Sequence, residues 1–145
     1  MAGRDGQRAR VYAWEDRVVG PRDPTTLPFA AAQGLVDAIW AEMGLRFPPA
    51  VERMPAQATT RLADASRLVI RLPAQTPSWC VLHELAHAMT TTHDGVSDGH
   101  GATFMGMYVR LLVRYLRLDE AGLLASLGDG GIAVDSKARP VFLDA

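Results

Sequence analysis

Hydrophobic positions recur at helical spacing in four stretches of this chain, and as a short branched run in a fifth. Over residues 28–43, Leu35, Val36, Ile39, Trp40 and Met43 make one apolar stripe. The stripe predicts a helix with Thr26 as cap, Pro28 in its first turn and Gly44 at its stop. A second helix is expected to open at Thr76-Pro77 and to end in Thr90-Thr91-Thr92, where β-branched residues favour leaving it. Its core face carries Trp79, Leu82, Leu85, Ala86 and Met89. A third runs from Gly99-His100 to Arg117 behind Asp98 as cap, with Phe104, Met107, Tyr108, Leu111, Leu112 and Tyr115 as its apolar face. Asp119 starts a short fourth piece through Leu127.

The branched run is Arg67–Leu72, bounded by Pro73, and it reads as a strand. Thr59–Leu62 reads as its hairpin partner around Ala63-Asp64-Ala65-Ser66, and Val51–Met54 and Ile132–Val134 as further short strands. Residues 9–19, with Val11, Tyr12, Trp14, Val18 and Val19, fit a helix or a strand. Helix, then strands, then helices argues an α+β fold rather than an alternating one.

Composition narrows the class. The 145 residues suit a single domain over 1–145, with 1–8 and 136–145 expected to be loose. Apolar content of 48%, charged content of 21% and a net charge of −1 are globular values that mark neither a nucleic-acid nor a membrane binder. No apolar run approaches the roughly 18 residues of a membrane span. Met1–Arg10 has no apolar core of a secretory signal, and the single cysteine, Cys80, excludes an internal disulfide. A cytoplasmic location is the expectation.

The chemistry lies in His83-Glu84-Leu85-Ala86-His87. On a helix, positions four apart share a face, so both imidazoles can reach one ion with Glu84 beside it. That is the zinc-peptidase arrangement, with two His ligands and a carboxylate as general base. A catalytic zinc site normally has a third protein ligand. The two remaining histidines, His93 and His100, both follow closely. His93 has the spacing of the long metzincin motif, but Thr90 stands where that motif has its turn glycine. His100 opens the next helix, where Gly99 and Gly101 allow close backbone approach.

The runs H-E-L-A-H-A at 83–88, D-G at 98–99 and H-G-x-x-F at 100–104 resemble the SprT-like zinc metallopeptidases. They also resemble a small group of H-E-x-x-H metallopeptidases of actinobacteria. The likeness covers about residues 79–117, with Ala102 where proline is common. It implies a zincin-like α+β fold, a small antiparallel or mixed sheet packed on a metal-binding helix pair. It further implies Zn2+ held by His83, His87 and His100, with Glu84 as the catalytic base toward a peptide or protein substrate. The strand before the metal helix, Arg67–Leu72, would pair with an extended substrate.

Other residues carry blander expectations. Cys80 reads as a small core residue before a fourth ligand, Asp98 as a helix cap before an orienting carboxylate, and Tyr108 as core before an oxyanion donor. Arg110, Arg114 and Arg117 read as a solvated helix face, so a nucleic-acid partner is not supported. Two other classes stay open: a zinc amidohydrolase acting outside proteins, and a metal-holding regulatory domain without turnover. A regulatory protein partner is compatible with each.

Overall fold

The computed structural model describes residues 5–55 and 63–142. Five α-helices and two small sheets make a mixed α+β architecture. Helix α1 (Arg8–Trp14) widens into a π-helical turn (Glu15–Val19), which settles residues 9–19 as helical. Val11, Trp14, Glu15, Val18 and Val19 are its buried residues, and Arg8 and Arg10 face solvent.

Strand β1 (Thr26–Pro28) pairs antiparallel with β5 (Gln75–Pro77), Thr26 opposite Pro77 and Pro28 opposite Gln75. This ribbon launches both α2 (Phe29–Glu42) and α3 (Ser78–Met89). Thr26 and Thr76 therefore lie in strands and cap neither helix. Their place is taken from across the ribbon: Ala74 accepts from the Phe29 backbone, Thr25 from that of Ser78, and the Asp23 carboxylate from that of Trp79 at 3.1 Å. A turn-rich loop thus supplies the helix-end partners, because the orphan N–H groups need an acceptor and not a particular neighbour.

The second sheet runs β2 (Ala50–Arg53), β4 (Val69–Leu72), β3 (Asp64–Ala65), with β2 parallel and β3 antiparallel to β4. The expected hairpin is corrected here. Thr59–Leu62 lies outside the described residues, and Asp64–Ala65, assigned to the turn, is the pairing strand. Ser66 makes the turn instead, its backbone N–H bonding to Val69 at 2.8 Å. Arg67–Leu72 is consequently the middle of the sheet and offers no free edge to a substrate. Among the described residues β3 is the edge beside α3. Arg67 itself is buried, its guanidinium against the stacked rings of Trp40 (4.8 Å) and Phe142 (4.3 Å). A cation against aromatic rings keeps attraction that water would otherwise supply.

Helix α4 (Ala102–Leu116) packs along α3, and α5 (Glu120–Asp129) follows behind an Asp119 cap that accepts from Gly122 at 2.8 Å. Residues 132–134 are not a strand. The Gln7 side chain answers that backbone, accepting from Ala133 at 2.6 Å and donating to its carbonyl at 3.3 Å. Within the ends expected to be loose, the described residues make contacts: Val141 donates to Met89 at 3.0 Å, and Asp5 and Gln7 reach the loop before α4. Gly106 lets the chain at Asp135 lie against α4, where a Cβ would stand 2.0 Å from the Asp135 carbonyl oxygen. Arg110 donates to Ala138 and Arg114 pairs with Glu42, so the arginine side of α4 holds the chain together. No described helix is long and apolar enough to cross a membrane.

Candidate metal centre

His83 and His87 stand one turn apart on α3, and His100 comes from the connection to α4. Their Nε2 atoms form a near-equilateral triangle: 3.2 Å between His83 and His87, 3.2 Å between His87 and His100, 3.3 Å between His100 and His83. His83 and His100 are buried and His87 half-buried. These three lie close enough to hold one metal ion, and no other such group occurs among the described residues. Phe104 is fully buried under them, stacked on the His87 ring at 4.2 Å and edge-on to His100 at 5.0 Å. An apolar floor fixes the rings without competing for their nitrogens.

The far side of two rings is tied to carboxylates. His83 Nδ1 faces Glu15 at 2.5 Å, and His100 Nδ1 faces Asp5 at 2.6 Å. When ionised, each carboxylate accepts, which places the hydrogen on Nδ1 and leaves Nε2 its lone pair. Asp5 also accepts from the His100 backbone at 3.1 Å, and Gln7 donates to the His100 carbonyl at 2.9 Å. Tyr108 donates to Glu15 at 2.7 Å from a fully buried position. Its phenol is pushed far up by burial and by Glu15 and stays protonated.

Burial pushes Glu15 up to about 7, against the bond from Tyr108, and pushes His83 down to about 3. Asp5 is more open: burial opposes its charge, but the ring and backbone bonds from His100 outweigh that and hold it below the ordinary value. A cation at the meeting point of the three Nε2 atoms would favour ionised Glu15 and Asp5.

Glu84 is buried and lines the same cleft as the three imidazoles. The cleft encloses about 360 Å³, with Tyr12 and Arg8 of α1 and residues 63–66 around β3 also lining it. His93 is exposed and outside both the cleft lining and the cluster. Cys80 is buried, with its thiol pushed up by burial and so neutral, and it is outside the cluster too.

Asp98 accepts from the backbones of Thr103 (2.8 Å) and Phe104 (3.3 Å), which is a cap on α4. The flanking glycines make room for carboxylates. A Cβ on Gly99, at φ +64°, would stand 2.8 Å from the Asp5 carboxyl carbon, and one on Gly101 2.6 Å from an Asp98 oxygen. Asp5 and Glu15 were missed from the sequence. Asp5 sat in a presumed loose end. Glu15 carried a readable signal, since it shares the helical face of Val11 and Val18, where a charge is expected only with a partner.

Compared with known proteins, the chain matches no family model, no curated protein and no solved structure.

Proposed function

We infer that the chain is a small zinc-dependent metallopeptidase of zincin-like arrangement. The observation that carries this is the triangle of three Nε2 lone pairs beside Glu84 in one open cleft. Zinc fits the donor set. Nitrogens about 2.0–2.1 Å from a tetrahedral ion stand about 3.3–3.4 Å from each other, and those of the chain stand at 3.2–3.3 Å. Three neutral imidazoles and no thiolate among them suit a catalytic rather than a closed structural site. The likeness to SprT-like metallopeptidases belongs to this proposal through the same residues, His83, Glu84, His87, His100 and Phe104.

Bound zinc would supply Lewis acidity toward a carbonyl and toward water. The residues of the chain do the remainder. Glu84 takes the proton of the attacking water and returns it to the departing amine, so no net proton is consumed at the enzyme. Glu15 and Asp5 hold the ligand rings in the tautomer that leaves Nε2 free. Phe104 excludes water behind the rings. An extended peptide has a place along β3, which among the described residues is the sheet edge and lines the cleft, while β4 is internal.

The test is hydrolysis of an unfolded protein by the zinc-loaded chain, with Glu84→Gln as control. The variant is expected to keep one zinc and to lose about 10²–10⁴-fold in kcat, the usual contribution of a general base. Undiminished hydrolysis by a zinc-bound Glu84→Gln chain would contradict the role assigned to Glu84.

A further inference from the structure

The cleft holds one more arrangement that hydrolysis itself does not use. Arg8 and Tyr12 lie four apart on α1, hence on one helix face, and both line the cleft. The Tyr12 ring stands edge-on to the His100 ring at 5.1 Å and stacks toward His83 at 6.1 Å. The Arg8 guanidinium lies over the other end of this wall, 5.5 Å from the Tyr12 ring centre. Tyr12 is therefore a platform between the metal ligands and a cation.

The charges around the cleft single out Arg8. Asp5 is engaged by His100, and Asp64 forms an ion pair with Arg71. Arg8 is the one Lys or Arg among the described lining residues, is exposed, and makes no ion pair with a described residue. Its guanidinium rests against an aromatic ring, which lowers the conformational freedom lost when its fork meets an anion. A planar fork recognises a carboxylate by two parallel hydrogen bonds.

We propose that Arg8, seated on Tyr12, is a specificity-determining residue that binds a carboxylate of the substrate, either an acidic side chain or the C-terminus. The proposal rests on the peptidase reading for its substrate class. The bond is remote from the reacting carbonyl, so its effect falls on KM rather than on kcat. Its exposed position limits the gain to about three- to tenfold, diminishing as salt rises.

Two sets of short unstructured peptides test it. In one, a single Glu moves through a neutral sequence; in the other, the neutral parent carries a free or an amidated C-terminus. Turnover is measured with the zinc-loaded full chain, and binding by calorimetry with zinc-loaded Glu84→Gln, which does not depend on turnover. One carboxylate position is expected to improve kcat/KM and affinity about three- to tenfold over the neutral parent. Arg8→Gln should abolish that ratio, and Arg8→Glu should transfer it to a Lys at the same position. The two peptide sets decide whether the carboxylate is internal or terminal. Equal treatment of acidic and neutral peptides, or a preference that survives Arg8→Glu, overturns the proposal and leaves the peptidase reading intact. Carboxylate-dependent binding that Arg8→Glu removes, with no cleavage of any peptide, upholds the proposal and removes the peptidase reading.

Discussion

The candidate metal centre has two halves built in opposite ways. The three histidines come from one local stretch: His87 and His100 are 13 positions apart, and His83 and His100 are 17 apart. The groups that orient them come from the other end of the chain, Glu15 at 68 positions from His83 and Asp5 at 95 from His100. A ligand pair on one helix must obey the helical repeat, so its spacing is visible in sequence. A carboxylate that orients a ring need only arrive once the chain has folded, and no spacing rule binds it. The local half fixes the chemistry, and the remote half makes the fold a condition of it.

Removing the remote half should therefore act on metal affinity without touching a ligand. Glu15→Gln and Asp5→Asn are each expected to weaken zinc binding about 10–100-fold, read by competition with a chelator of known affinity. Unchanged affinity in both would reduce the N-terminal segment to packing. A second consequence appears in acid. In the metal-free protein His83 and Glu15 together hold one proton across the middle of the pH range, in the folded and the unfolded chain alike. The next proton binds near 4.5 in the unfolded chain, the ordinary Glu value, but only near 3 in the folded site, where burial opposes it.

The unfolded state thus binds more protons below about 4.5, and stability present above that pH is lost as pH falls through 3. Denaturant titrations of metal-free protein should show a loss of about 2 kcal/mol from this pair. Glu15→Gln should widen the window, the loss then beginning near 6.5, because buried His83 alone still resists the proton that its unfolded imidazole takes. The smallest effect belongs to the local half. Asp98→Ala should lower stability by about 1 kcal/mol through the lost α4 cap, with a zinc affinity that falls less than in Asp5→Asn.

The same contrast explains what could be read in advance. The α2 stripe, the Gly44 stop, the H-E-x-x-H helix, the Asp98 and Asp119 caps and the convergence of His100 follow from local periodicity and end chemistry. The ribbon of Thr26–Pro28 with Gln75–Pro77 does not, because its three-residue strands carry no alternation to detect. Nor does Asp64–Ala65 as an edge strand: two residues gain strand geometry only from their neighbour Arg71–Ile70. Ile132–Val134 had strand composition, but its backbone is answered by the Gln7 side chain. Arg67 looked like the polar start of a strand and is a buried cation against the rings of Trp40 and Phe142, a partnership 27 and 75 residues away in sequence that no window captures.

The central claim is that three imidazoles, and no other protein group, close on one ion while a position stays open for water. X-ray absorption on the zinc-loaded protein tests it most directly. The account predicts one zinc per chain, three imidazole nitrogens at about 2.0–2.1 Å, a lighter oxygen donor, and loss of one imidazole in His100→Ala. A sulfur from Cys80, a fourth imidazole from His93, or a first shell unchanged by His100→Ala would contradict it.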